Sequence, residues 1–179
     1  MHAQTKLQLP KNSSILIDTN VLIDSAESVK FISLYEQMRE ASIGLVLSEV
    51  VKLEFVRGTN NHQKALDFLE SIFKTSDGGM TLPLDSEVYK RAYEIEKIYR
   101  YQGGNKKSGF ADLLFAAQVA RYSIPKRLTN QSVLATENHK DFLPTLFDLL
   151  QIINIRVESG SIKTVGFYIF NTDRFGELL

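Results

Sequence analysis

The chain has 179 residues, 44% hydrophobic and 23% charged, with no cysteine, which suits one globular domain that buries a core without covalent staples. The missing cysteine excludes disulfides, thiolate zinc sites and cysteine nucleophiles, and it agrees with a cytoplasmic location. Lys+Arg and Asp+Glu balance at 21 each, which argues mildly against indiscriminate polyanion binding, and no apolar run reaches the roughly 20 residues of a membrane helix.

Residues 1–14 read as a leader without the pattern of a signal peptide. Ile15-Leu16-Ile17 is a short β-branched run that predicts a buried strand, ended by the polar Asp18-Thr19-Asn20. A helix capped by Asp24 or Ser25 is expected through about Arg39, with Val29, Ile32, Tyr35 and Met38 on its apolar face. Ile43 to Leu47 predicts a second strand. Ser48 then caps a helix that closes at Gly58, read as the left-handed residue after it. Another helix is expected from His62 to Phe73, a brief strand over Thr81–Leu84, and a helix capped by Asp85 or Ser86 that buries Val88, Ala92, Ile95 and Tyr99. Asp112 to Tyr122 predicts a strongly apolar helix, and Val133-Leu134-Ala135 a third buried strand. Two β-rich runs follow between Gln151 and Asn171, separated by Ser159-Gly160-Ser161. Short strands alternating with helices imply an α/β domain with a mainly parallel sheet, where ligands bind at the carboxyl ends of the strands.

Acidic residues gather at those ends. Asp18 follows the first strand, Glu49 and Glu54 lie on the helix after the second, Asp112 opens an apolar helix, and Asp141 follows the third strand. Carboxylates brought together either take up protons or hold a cation. Their hard oxygens select Mg²⁺ or Mn²⁺, and a pair of such ions can polarise a phosphodiester and generate the attacking hydroxide. Each residue also has a plain reading: Asp18 as a strand-end turn, Glu54 as a solvated helix carboxylate, Asp112 and Asp141 as caps. Asp112 resists this most, because Phe110, Ala111, Leu113 and Leu114 surround it. Lys106-Lys107 sits in a glycine-rich loop where it is either solvated or a contact for RNA phosphates. His62 and His139 read as surface or loop residues, and Tyr99, Tyr101 and Phe110 as core before stacking platforms.

Four segments in order resemble the PIN domain, and within it the VapC-type toxin nucleases. They are Ile17-Asp18-Thr19-Asn20-Val21-Leu22-Ile23, Ser48-Glu49-Val50-Val51-Lys52-Leu53-Glu54-Phe55, Ala111-Asp112-Leu113-Leu114-Phe115-Ala116-Ala117 and Thr136-Glu137-Asn138-His139-Lys140-Asp141-Phe142. The resemblance implies a three-layer α/β/α PIN-like domain over residues 15–155, with 156–179 a β-rich extension of it. It also implies a Mg²⁺- or Mn²⁺-dependent ribonuclease whose catalytic and metal-binding residues are Asp18, Glu54, Asp112 and Asp141, the register choosing Glu54 over Glu49. Asn20 and Thr136 would orient these carboxylates. Asn138 stands where many relatives carry Asp, which removes a charge near the metals. The same resemblance implies a small antitoxin partner and a homodimer. The rival readings are an inactive PIN module that binds RNA or protein, and an aspartyl-phosphate phosphatase; the second is disfavoured by Asn20, where it would need Asp.

Overall fold

The computed structural model describes residues 6–42, 44–74, 79–103, 109–123, 131–142 and 145–175. Strand β1 (Ser14–Ile17) is followed at once by helix α1 (Thr19–Glu27), a 3₁₀ turn (Val29–Phe31) and helix α2 (Ile32–Ala41). Strand β2 (Gly44–Ser48), helices α3 (Glu49–Arg57) and α4 (His62–Phe73), and the two-residue strand β3 (Thr81–Leu82) come next. Helices α5 (Ser86–Gly103) and α6 (Phe110–Ser123) lead to β4 (Ser132–Thr136), the hairpin β5 (Phe147–Arg156) and β6 (Ile162–Phe170), and the short α7 (Thr172–Phe175).

The strands form one sheet in the order β3-β2-β1-β4-β6-β5. The first four are mutually parallel, while β6 runs antiparallel to both β4 and β5. Every residue of β1 and β4 is buried, so helices cover both faces of the sheet centre, as an unbroken apolar strand requires. The result is the expected mainly parallel α/β domain. Among the described residues no helix is long and apolar enough to cross a membrane.

Several local expectations need correction. The helix predicted from Asp24 to Arg39 is two helices, and the first begins six residues earlier, because Asp18 itself caps it by accepting from the Thr19 amide. The break falls at Ser28, whose hydroxyl accepts from the Lys30 amide and starts the 3₁₀ turn. The turn shifts the helical phase: Val29 and Ile32 are exposed, while Phe31 and Leu34 join Tyr35 and Met38 in the core. Gly58 follows α3 in right-handed geometry, φ −74°, and the left-handed residue is Lys74 after α4, φ 51°. Helix α6 begins two residues before Asp112, and β3 stops at Leu82. Ile43, Lys106 and Lys107 lie outside the described residues.

The end of the domain nearest the fourth motif is held by an aromatic cluster. The Phe142 ring meets Phe115 at 6.5 Å, Phe147 at 5.3 Å and Tyr168 at 6.5 Å between centroids, and Phe147 meets Phe170 at 5.5 Å. Burying each such ring stabilises the fold by about 1.5–3 kcal/mol. This cluster pins the hairpin to the segment that leaves β4. Leu7, in the leader, is also buried, its amide donating to Gln37 Oε1 at 3.1 Å.

Candidate active site

The carboxyl ends of β1 and β4 meet side by side, since Ile17 pairs with Ala135 in parallel register. Asp18 leaves the first strand and Thr136 ends the other. Asp18 is only 5% exposed, and every lone pair engaged on it is met by a donor of known origin. Its Oδ1 accepts from the Thr19 amide at 2.7 Å; its Oδ2 accepts from Asn20 Nδ2 at 2.9 Å and from the Thr136 hydroxyl at 2.6 Å. Asn20 is fixed in turn, its Oδ1 accepting from the Glu137 amide at 3.1 Å. Burial pushes the Asp18 carboxyl up, the three hydrogen bonds oppose this, and Glu54 adds to the rise.

Ser48 ends β2 and caps α3, accepting from the amides of Val50 and Val51, and its hydroxyl donates to Gln118 of α6. The cap fixes the phase of α3. Glu54 then turns toward α1, where the Thr19 hydroxyl donates to its Oε2 at 2.7 Å, while Glu49 turns away and accepts from the Leu84 amide at 2.9 Å. Of the two glutamates that local reading left open, only Glu54 stands with the other acids.

Asp112 is the third residue of α6 and reaches back to the Gly109 amide, as an acidic residue at that helical position can. A β-carbon on Gly109 would fall 2.5 Å from Asp112 Oδ2, so the position is kept open for the carboxylate. The cap reading of Asp112 is therefore correct in part. Its carboxyl is nevertheless pushed up to about 6, first by burial and then by the charges of Asp18, Asp141 and Glu54, against the single bond from Gly109. Three neighbouring carboxylates thus act on a fourth. Asp141 Oδ2 accepts from Asn138 Nδ2, its carbonyl accepts from the Tyr99 hydroxyl at 2.6 Å, and the Asn138 amide donates to Thr136 Oγ1 at 2.9 Å.

Some neighbours of the site were not legible beforehand. His139 lies in the turn after β4, a loop residue as expected, but it is half-buried and bonded: Nδ1 lies 2.6 Å from the Tyr168 hydroxyl and Nε2 3.1 Å from the Thr164 carbonyl. Lys163 of β6 bonds Asp24 of α1 at 2.5 Å, and Asp24 faces Glu137, whose carboxyl is raised by burial and by that contact. The partners of these residues are far away in the chain, so no local pattern announces them. Of the aromatic residues, Tyr99 is buried as expected, but Tyr101 is 95% and Phe110 69% exposed.

The donor set suits a hard divalent cation: four carboxylates that repel one another, each offering oxygen. Among the described residues no three acidic or histidine side chains converge tightly enough to share one ion as they stand. The PIN domain family matches residues 15–140, and the chain belongs to that family, whose members are as a class nucleases and typically use divalent metal ions. A comparison with curated proteins finds no match.

Proposed function

We propose that the protein is a metal-dependent endoribonuclease, the toxin of a toxin–antitoxin pair, with Asp18, Glu54, Asp112 and Asp141 as its catalytic and metal-binding residues. The observation that carries this reading is the gathering of the four acids: burial first, and then the charges of Asp18, Asp141 and Glu54, push the Asp112 carboxyl up to about 6. Mg²⁺ or Mn²⁺ bound there would supply Lewis acidity toward a phosphodiester and a low-pKa water. The chain's own part is to hold the oxygens. Asp18 keeps one fixed orientation through Thr19, Asn20 and Thr136. Glu54, Asp112 and Asp141, each with a single bond to its carboxylate, would supply the remaining oxygens.

Lys106 and Lys107, just before α6, are the proposed contacts for RNA phosphates; replacing both with Ala should flatten the salt dependence of RNA binding. An antitoxin that inserts an arginine or lysine among the carboxylates would block the site by replacing the metal charge, and the active form is a homodimer. The test is cleavage of RNA by the purified protein with Mg²⁺, with Mn²⁺ and with chelator, beside Asp112→Asn. Cleavage that needs metal and disappears in the variant is expected. Absence of cleavage with either metal would leave the inactive binding module, and cleavage in chelator would exclude metal catalysis.

A further inference from the structure

The hairpin β5–β6 lies beyond residue 140, where the family match ends, yet its second strand occupies the place beside β4. Thr136 pairs with Gly166, so β6 runs directly under the turn that carries Asn138 and Asp141. That turn is tied at its start by the Asn20 side chain to the Glu137 amide, and at its end by the Tyr99 hydroxyl to the Asp141 carbonyl. Between these, Asn138 bonds Thr136 and Asp141 within the segment itself, and His139 ties the turn to β6.

The chemistry of the Thr164 carbonyl fixes one end of the His139 bonding. A carbonyl oxygen only accepts, so Nε2 carries the hydrogen that goes to Thr164, and in the tautomer with hydrogen on Nε2 alone Nδ1 accepts from the Tyr168 hydroxyl. Both polar atoms are satisfied by one strand. Tyr168 does more than receive the imidazole. Its ring lies 6.0 Å from His139 and 6.5 Å from Phe142, so the residues on either side of Asp141 both rest on it. Room for the imidazole comes from Gly166. A β-carbon there would fall 2.8 and 2.9 Å from the His139 ring and 2.6 Å from Tyr168. A glycine in a strand interior weakens the strand unless something approaches closely, and here an imidazole does.

We propose that His139, seated on Gly166 and held by Tyr168 and Thr164, is a positioning residue through which the C-terminal hairpin sets the orientation of Asp141. The assignment of Asp141 to the metal site rests on the nuclease reading above; the mechanical link between hairpin and turn does not. Loss of a residue that orients a ligand typically weakens metal binding about 10- to 100-fold.

The test uses the full chain and three variants: Tyr168→Phe, which removes one hydroxyl; His139→Ala, which removes the ring; and His139→Asn, whose Oδ1 takes the place of Nδ1. Amide hydrogen exchange over residues 137–142 is followed in metal-free buffer, and Mn²⁺ affinity by electron paramagnetic resonance. Tyr168→Phe and His139→Ala should speed exchange in this turn at least about tenfold and weaken Mn²⁺ about 10- to 100-fold, with exchange in β1 and β2 unchanged. His139→Asn should restore most of both. If His139→Ala does not fold, Tyr168→Phe decides alone. Wild-type exchange in that turn for the folded variants would overturn the proposal. Faster exchange with no Mn²⁺ binding even by the wild type would keep the mechanical link and reject the nuclease reading instead.

Discussion

The two walls of the acidic pocket are built differently. The wall between β1 and β4 is prewired: Asp18 is buried and accepts three hydrogen bonds, two of them from side chains that are themselves fixed. The wall made by α3 and α6 is loose by comparison. Glu54 has one hydroxyl partner, and Asp112 one backbone amide and three repelling neighbours. In the proposed metal-dependent enzyme, a fixed carboxylate facing less restrained ones would let a cation enter and leave with only one wall moving.

Removing charge should break the two walls in opposite ways. In either Asp18→Asn or Asp112→Asn, RNA cleavage should fall more than about 100-fold, a larger loss than an orienting residue causes. Stability in chelator separates them. Asp18→Asn sets an amide N–H against the donors Asn20 and Thr136 and should destabilise by about 1–3 kcal/mol. Asp112→Asn relieves repulsion and should raise stability by about 1 kcal/mol, after discounting for the solvent that half surrounds it. Thermal melting of both variants without metal checks this; equal shifts would erase the distinction between the walls.

A pH series sharpens the comparison. Folded Asp112 keeps its proton to about pH 6, whereas an unfolded chain releases it near 3.8. The folded state therefore binds more protons in that window. Its stabilising contribution is complete below the lower value and is lost as pH rises through the upper one. Metal-free melting should show a fall between pH 4 and about 6 that Asp112→Asn flattens. A smaller effect is expected from Asn138→Asp, which replaces a donor to Asp141 by a like charge. It should lower metal-free stability by no more than about 1 kcal/mol while tightening Mn²⁺. The smallest belongs to Glu49→Gln, which should leave cleavage within about twofold, whereas Glu54→Gln should reduce it about 10-fold or more. A reversed order would relocate the site on α3.

Where local chemistry and the fold agreed, the sequence was readable. His62–Phe73 forms the helix expected of it, and Val88, Ala92, Ile95 and Tyr99 are buried on one face of α5. Asp18 and Asp141 could be named because each follows a strand, whereas Glu54 and Asp112 lie within α3 and α6 and are singled out by the resemblance of their motifs to the PIN family. Choosing between Glu49 and Glu54 needed more than placement. Five residues at 100° per residue set them about 140° apart, so one alone can face the pocket, but the phase depends on the Ser48 cap. The start of α1 was missed because Asp18 serves as cap and pocket residue together. The place of β6 was hidden for another reason: a hairpin signal says that two strands pair, not which of them docks on β4.

The hydrogen bond from Thr136 to Asp18 joins residues 118 apart in the chain, and His139 finds its partners only 25 and 29 residues later. Chains emerge from the ribosome amino end first, and domains fold as their parts appear. A nascent chain that has made Asp18, Glu54 and Asp112 therefore still lacks the strand that orients the first of them and the one that seats the turn of Asp141. In the proposed nuclease, the acidic cluster would therefore stay incomplete during synthesis until β6 has been made.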